Sequence, residues 1–147
     1  MRRSGPFLSL YFKTHRADYY DLLQRVRLEG DWEAWLQFFA EGVRETAESA
    51  IVTARRIVQL FEADRQQIQG HQRSVGSALR VHASLQRRPV VSVSSLVDGT
   101  GLSAPTVRAA LERLEHLGIV REMTGKRRNR LFGYEGYVAL LAEGTQP

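Results

Sequence analysis

Residues 103–134 read SAPTVRAALERLEHLGIVREMTGKRRNRLFGY, and this stretch decides the fold that the sequence predicts. Ser103 is a favourable N-cap, and the apolar residues after it recur every three or four positions, which predicts a helix over 104–117. The runs 119–123 and 130–134 are rich in β-forming residues and flank a glycine-containing turn, which predicts a hairpin. The stretch therefore predicts a helix that is followed directly by two short strands.

The residues before this stretch complete a recognisable pattern. Residues 75–87 have the spacing of an amphipathic helix that ends before a proline. Ser92 or Ser94 can cap a small helix that runs through about Asp98, and the glycines of 99–101 predict a tight turn. Two helices joined by a glycine turn are typical of the helix-turn-helix, and a basic hairpin after the second helix is typical of a wing. The sequence thus predicts a winged helix-turn-helix.

The distribution of charge indicates what this part of the chain binds. The 147 residues carry a formal net charge of +5. Residues 1–70 hold ten basic and ten acidic side chains, whereas 71–147 hold eleven basic and six acidic ones, so the second half carries all of the excess. Five of the basic residues fall within ten positions of the predicted hairpin, namely Arg121, Lys126, Arg127, Arg128 and Arg130. This concentration predicts a polyanionic partner, double-stranded DNA.

Candidate DNA contacts follow from the way a recognition helix enters the major groove. Arg108 is the best candidate for a bidentate contact to guanine, and Thr106 and Ala109 could touch a phosphate or a thymine methyl. The hairpin tip is expected to meet the DNA backbone or the minor groove and to set the salt dependence of binding. The complete set of candidate residues is Ser103, Pro105, Thr106, Arg108, Ala109, Arg113, Lys126, Arg127, Arg128 and Arg130.

A second interpretation is a module for protein interaction or dimerisation. Many winged helices serve that purpose, and Glu112 and Glu115 on the predicted recognition helix weaken the case for DNA. Aromatic residues of the first half that lack an evident core also favour a homodimer or another protein partner, namely Phe7, Tyr11, Phe12, Tyr19 and Tyr20.

The first half of the chain has helical spacing throughout. Residues 7–28 predict two helical pieces with a break near 15–18, and Gly30 and Asp31 predict a helix end followed by a new helix start. One long helix is expected from residue 32 to about residue 69, with a possible bend at Gly42. The aromatic cluster Trp32, Trp35, Phe38 and Phe39 could line a ligand site, but aromatics at helical spacing favour a core.

The sequence therefore predicts a mainly α chain with two domains. The first, 1–70, is helical, and the second, 71–147, is a winged helix-turn-helix with a small β-hairpin. The absence of cysteine excludes disulfides, thiolate zinc sites and iron–sulfur clusters, and the four histidines lack the spacing of metal ligands. No apolar run is long enough to span a bilayer, so we expect no membrane partner and a cytoplasmic location.

The first half also resembles a known family. The segments FLSLYFKTHRADYYDLL at 7–23 and GDWEAWLQFFAEGV at 30–43, followed by Thr46 and Ala47, look like the C-terminal helical part of Fic (filamentation induced by cAMP) proteins. In many bacterial members that part is followed by a winged helix. The resemblance covers about residues 7–141.

The resemblance implies a parent activity that this chain lacks. Fic proteins are mostly AMP-transferases that move AMP from ATP to a protein hydroxyl, with the signature H-P-F-x-x-G-N-G-R-x-x-R. This signature is absent from the sequence, so no catalytic, cofactor-binding or metal-binding residue is carried over. ATP and magnesium are expected only for a complete Fic protein. The resemblance implies an inactive tail of such a protein, with an upstream Fic catalytic core as a further possible partner and a nucleotide-binding remnant as an alternative function.

Overall fold

A computed structural model describes residues 6–70 and 75–143 of the chain. By backbone contacts the chain divides into two compact units, one reaching to Arg55 and including the residues from Leu141, the other running from Arg56 to Leu140. The elements, in chain order, are α1 (Pro6–Thr14), α2 (Arg16–Glu29), α3 (Trp32–Gln69), α4 (Val75–Arg87), β1 (Val90–Ser92), α5 (Val93–Thr100), α6 (Ala104–His116), β2 (Val120–Glu122), β3 (Leu131–Tyr134) and α7 (Glu135–Glu143).

The breaks between the first helices have local causes. A single residue, His15, separates α1 from α2, which confirms the two predicted helical pieces. Gly30 adopts the left-handed conformation, with φ of 68°, and its N–H donates to the Val26 carbonyl. Asp31 then accepts a hydrogen bond from the Ala34 N–H at 3.2 Å, which satisfies one of the free donors at the start of α3. Gly30 and Asp31 therefore end one helix and begin the next, as predicted.

The described residues of the first unit form no buried apolar core. Gly42 is the only buried residue among those whose exposure the structure gives in this unit. The ring of Tyr11 lies against Gly42, and a Cβ atom at that position would come within 2.6 Å of the Tyr11 Cδ1 atom. Gly42 therefore serves to admit the Tyr11 ring against α3.

The aromatic residues of this unit contact one another and remain accessible to solvent. The ring of Phe38 lies 5.4 Å from that of Tyr11 and 5.9 Å from that of Phe12, centroid to centroid. Trp35 and Phe38 are half-buried, but Trp32 is 60% exposed and Phe39 is 40% exposed. The interpretation of this cluster as core is therefore wrong for Trp32 and Phe39, whereas Trp35 and Phe38 pack against the aromatic residues of α1 and α2. The side chain of Phe7 lies outside the described part of the chain.

The second unit contains the hydrophobic core. The end of α3, α4, α5, α6 and the three strands surround it, because each helix turns an apolar stripe inward. The largest fully buried side chains are Tyr134, Ile68, Leu85, Leu96, Leu111, Leu114, His82, Val81 and Val107. The strands form an antiparallel sheet in the order β1-β3-β2, with Val91 opposite Phe132 and Arg121 opposite Gly133.

A buried polar network links three elements of this unit. The Tyr134 hydroxyl donates to the Asp64 carboxylate at 2.5 Å and lies 3.0 Å from Nε2 of His82, whose Nδ1 lies 3.3 Å from the amide nitrogen of Gln86. One tautomer satisfies all of these contacts, with His82 Nε2–H donating to Tyr134 and Nδ1 accepting from Gln86. Burial lowers the pKa of His82 and raises the pKa of Tyr134, so burial favours the neutral form of both groups.

The chain is mainly helical with a small antiparallel sheet, which confirms the predicted fold class at that level. The sheet has a third strand, β1, next to the two strands of the predicted hairpin. The domain boundary after residue 70 stays a prediction. The contact division at Arg56 groups the last turns of α3 with the elements that follow it.

Among the described residues, no helix combines the length and the apolar character that crossing a bilayer requires.

Candidate nucleic-acid interface

The position of α6 follows from its caps and its apolar stripe. Ser103 is the N-cap, and its side chain accepts from the Thr106 N–H at 3.4 Å. Val107, Ala110, Leu111 and Leu114 are buried against the core, where α6 packs on α4 and α5. The opposite face of α6 is consequently turned to solvent.

The exposed face of α6 divides into two halves of different charge. Pro105, Arg108 and Ala109 are exposed in the N-terminal half. Glu112 and Glu115 are exposed in the C-terminal half. Only the N-terminal half therefore offers a surface on which a polyanion can lie without meeting a carboxylate.

The turn that leads into α6 is held by local hydrogen bonds. Gly101, with φ of 71°, ends α5 in the left-handed conformation, and its N–H donates to the Val97 carbonyl. The Thr100 hydroxyl donates to the Leu96 carbonyl at 2.6 Å and accepts from the Leu102 N–H at 3.2 Å. At the other end of α5, Ser92 and Ser95 form a reciprocal capping box, so Ser92 rather than Ser94 is the cap. These contacts fix the start of α6 relative to α5.

The loop between β2 and β3, residues 123–130, carries the dense basic cluster. Glu122 anchors its beginning, because the carboxylate accepts from the backbone N–H groups of Thr124 and Gly125, each at 2.9 Å, and from the Thr124 hydroxyl. These hydrogen bonds lower the pKa of Glu122. Near its end, the Arg130 Nε donates to the Lys126 carbonyl at 3.0 Å. The loop is thus closed by its own polar contacts and presents its arginines outward.

A groove lies between the start of α6 and this loop. Its charged lining consists of Arg108 from α6, Arg127, Arg128 and Arg130 from the loop, and Asp98 from α5. Ser92 and Ser94 at the start of α5 and Asn129 add neutral polar groups. Four arginines against a single carboxylate make the groove a site of positive potential.

Three arginines of this groove form no ion pair with any residue that the structure describes. Within the described ranges, neither Arg108, Arg127 nor Arg128 pairs with an acidic side chain. Arg121, in contrast, forms an ion pair with Glu135 at 3.3 Å between the nearest nitrogen and oxygen. The charge of Arg121 is therefore directed toward α7 and the charges of the other three remain available.

The structure groups some of the candidate DNA contacts and separates others. Arg108, Arg127, Arg128 and Arg130 line the groove together. Ser103, Pro105, Thr106 and Ala109 lie along the first turns of α6, and Lys126 is exposed on the loop. Arg113 differs from the rest, because it is half-buried and its Nε is buried without a hydrogen-bond partner in the described structure. All ten remain predictions as DNA contacts.

The sequence did not indicate the neutral polar lining residues Ser92, Ser94 and Asn129 as site residues. Ser92 and Ser94 were recognisable there only as helix caps, and Asn129 only as part of a turn. Asn129 adopts a positive φ of 52°, which asparagine tolerates better than most residues, and it separates Arg128 from Arg130. The run Arg-Arg-Asn-Arg was the available signal, since a turn residue inside a basic run redirects the side chains around it.

The histidines stand apart from this groove. His82 is buried in the second unit, His15 is half-buried with its Nδ1 3.0 Å from the Tyr11 carbonyl, and His116 is exposed. His71 lies outside the described residues. No group of three or more potential metal ligands occurs within the parts of the chain that the structure describes.

Solved structures with weak similarity to this chain include that of a DNA-binding protein. No family model matches the chain. A solved structure of BpsR from Bordetella bronchiseptica, a protein whose DNA binding is regulated by 6-hydroxynicotinic acid, is similar over 69% of this chain and 82% of that chain. The identity is 21% and the TM-score is 0.37, which is too low to assign a shared fold.

The predicted resemblance to the Fic family is wrong, because no family model matches the chain. The segments at 7–23 and 30–43 that suggested it are amphipathic, aromatic-rich helices, and such a composition recurs wherever helices pack through aromatic side chains. Two predictions depended on this resemblance alone, namely an upstream Fic core as a partner and nucleotide binding as a remnant of AMP transfer. Neither has any remaining support.

Proposed function

We propose that residues 75–143 form a winged helix-turn-helix that binds double-stranded DNA in a regulatory role. The observation that carries this proposal is the groove that Arg108 of α6 lines together with Arg127, Arg128 and Arg130 of the 123–130 loop. The element order α4-β1-α5-α6-β2-β3, with β1 paired to the outer side of the hairpin, supports it. In this proposal α6 is the recognition helix and the 123–130 loop is the wing.

The division of α6 into two halves sets how the helix approaches the duplex. The N-terminal half enters the major groove, where Arg108 makes a bidentate contact to guanine and Thr106 and Ala109 lie beside a phosphate or a thymine methyl. Ser103, Pro105 and the first-turn amides approach a phosphate, which the positive end of the helix favours. Glu112 and Glu115 keep the C-terminal half of α6 away from the DNA backbone, because their carboxylates repel the phosphates.

The wing supplies affinity more than sequence preference. Lys126, Arg127, Arg128 and Arg130 contact the phosphates that flank the recognised bases, or enter the minor groove. Contacts of this kind release counterions, so each adds close to one unit to the slope of log Kd against log salt concentration. Arg113 is the weakest member of the proposed set, because its guanidinium is already half-buried.

Fluorescence anisotropy of a labelled duplex across a range of salt concentrations tests the wing. The double variant Arg127→Ala/Arg128→Ala is expected to reduce the salt slope by about two. Arg80→Ala is the matched control, since Arg80 is an exposed arginine of α4 that does not line the groove, and its slope should equal that of the parent protein. Absence of binding at low salt, or an equal loss in both variants, contradicts the proposal.

Selection of preferred duplexes from a random pool tests the recognition helix. Arg108→Ala is expected to relax the preference at one base pair by about 1–3 kcal/mol. The wing variants should weaken all duplexes alike and leave the selected sequence unchanged. A selected sequence that Arg108→Ala leaves intact contradicts the role given to this residue.

A further inference from the structure

An apolar stripe on α3 in the first unit is largely turned to solvent, with Ala50 half-buried and its other residues exposed. It consists of residues spaced three or four apart, the spacing that keeps side chains on one face of a helix, namely Trp32, Leu36, Phe39, Val43, Ala47, Ala50 and Ala54. Trp32 and Leu36 are each 60% exposed, Phe39 is 40% exposed and Val43 is 44% exposed. We call this set the α3 stripe.

The remainder of α3 in this unit has the character of an ordinary helix surface. Arg44 forms ion pairs with Glu41 and with Glu48, which lie on the side of the helix away from the stripe. Trp35, Phe38 and Gly42 face the aromatic residues of α1 and α2. The α3 stripe is therefore a third, apolar face. The Phe12 ring of α1 reaches only its edge, 6.1 Å from the Phe39 ring between centroids, and leaves Phe39 40% exposed.

The first unit needs this face to be covered. Helices in water derive most of their stability from packing an apolar face rather than from their intrinsic propensity. The unit has no buried side chain of its own among the described residues, so its helices gain little from the packing that the structure contains. A partner that buries the stripe would supply the missing burial.

The sizes of the stripe residues identify a second copy as that partner. The large side chains Trp32, Leu36 and Phe39 occupy one end, and the small Ala47, Ala50 and Ala54 occupy the other. In an antiparallel pair centred on Val43, Trp32 faces Ala54 of the second copy, Leu36 faces Ala50, and Phe39 faces Ala47. Each large residue then meets a small one, as close packing between helices requires. A parallel pair would instead oppose like sizes.

The charges at the two ends of the stripe agree with this arrangement. Glu33 lies at its N-terminal end, where Asp31 is already paired with Arg25, and Arg55 lies at its C-terminal end. Antiparallel pairing brings opposite charges together, whereas parallel pairing brings like charges together. Residues 6–55 carry six basic and eight acidic side chains, so this unit does not offer the cationic surface that a nucleic acid or an anionic membrane needs.

The area is sufficient for a weak dimer. The exposed parts of the stripe residues amount to roughly 500 Å² per copy, so the pair would bury roughly 1,000 Å² in total, which is the low end for a specific interface. We propose that the α3 stripe is the interface of a homodimer in which two α3 helices pair antiparallel about a two-fold axis beside Val43. The dimer is concentration-dependent because its interface is small.

Analytical ultracentrifugation of the full chain with a matched pair of variants tests the proposal. Val43→Glu places a charge at the centre of the stripe and should raise the dimer Kd at least about tenfold, because the carboxylate would be buried without a partner. Val52→Glu makes the same change on the same helix at a valine that is 55% exposed but outside the stripe, and its Kd should stay within about twofold. Circular dichroism checks that both variants remain helical.

Two results would overturn the proposal. One is a parent chain that sediments as a monomer at the highest concentration reached, which would leave the stripe to a different protein. The other is a dimer that Val43→Glu leaves intact, which would place the contact on another surface.

Disulfide trapping then tests the direction of the helices. The chain contains no cysteine, so each introduced thiol reports on one position only. In the Val43→Cys variant, the introduced thiols of two copies should cross-link to each other. A mixture of Trp32→Cys chains with Ala54→Cys chains should form the mixed disulfide. Trp32→Cys alone should remain uncross-linked, and efficient cross-linking of that variant to itself would overturn the antiparallel arrangement.

Discussion

The two units of the chain differ in what their helices bury. In the second unit, four helices and a sheet enclose a cluster of fully buried side chains that includes Leu111, Leu114 and Tyr134. In the first unit, aromatic side chains contact one another across α1, α2 and α3 but stay half-exposed. The sequences of both units have helical periodicity. Periodicity alone therefore does not distinguish a helix that completes a core from one whose apolar face stays exposed.

The largest contrast should come from removing leucine side chains. Leu114→Ala in the second unit should lower the free energy of unfolding by about 2–5 kcal/mol, because it leaves a cavity in a packed core. Leu28→Ala in the first unit, where the side chain is 76% exposed, should change it by less than about 0.5 kcal/mol. Urea denaturation followed by circular dichroism measures both. Equal losses would mean that the two units do not differ in burial.

The buried polar network gives the next largest contrast. Tyr134→Phe removes the hydroxyl that joins Asp64 to His82 and leaves both groups without that partner. We expect a loss of about 1–3 kcal/mol in the free energy of unfolding. Tyr20→Phe, at an exposed tyrosine of the first unit, should lie within about 0.5 kcal/mol of the parent protein. If the two variants were equally stable, the network would contribute nothing.

Two glycine substitutions sharpen the comparison further. Gly42→Ala places a methyl group against the Tyr11 ring, and the ring must move, so we expect a net loss of about 1 kcal/mol after the gain in helix propensity. Gly76→Ala in α4 meets no atom within 4 Å and should stabilise the protein by up to about 1 kcal/mol. Thermal unfolding and near-ultraviolet circular dichroism of the tyrosines report both effects. A stabilising Gly42→Ala would show that Tyr11 does not pack there.

The smallest expected effect is a dependence of stability on pH. Burial lowers the pKa of His82 below the 6.5 of the unfolded chain, so protonation favours unfolding. Stability should be fully present above about pH 6.5 and should fall as the pH drops from there toward the lowered pKa of the folded state. The groups that face His82 electrostatically are Asp64 and Arg65, which act in opposite directions.

His82→Gln should flatten this dependence, and the exposed His116→Gln should preserve it. Denaturation midpoints measured across the pH range give the slopes. An unchanged slope in His82→Gln would assign the effect to another group.

Much of the second unit could be predicted from its sequence because the signals were local. The Ser103 cap, the glycine turn before α6, and the two runs around the basic loop each depend on residues within a few positions of one another. The groove could be predicted only in part. Arg108 and the loop arginines are far apart in sequence, and Ser92, Ser94 and Asn129 join them only because α5, α6 and the sheet converge.

The first unit shows where sequence reasoning failed. Its helix boundaries were predicted within a residue or two, since Gly30 and Asp31 mark them chemically. Its aromatic pattern was taken as a core, which is wrong for Trp32 and Phe39, and as a family resemblance, which is wrong. The spacing of apolar residues shows that they share a face of a helix, but it does not show what packs against that face.

The sequence by itself determined the helical periods, the caps, the turns and the concentration of positive charge in the second half, because these depend on short-range steric and hydrogen-bonding preferences. Tertiary structure alone decided which apolar faces became buried, that Tyr134 joins Asp64 to His82, and that four arginines from two elements line one groove. Burial and electrostatic potential depend on distances between residues that are far apart in the sequence. The order of residues does not fix those distances, and the packing of the elements does.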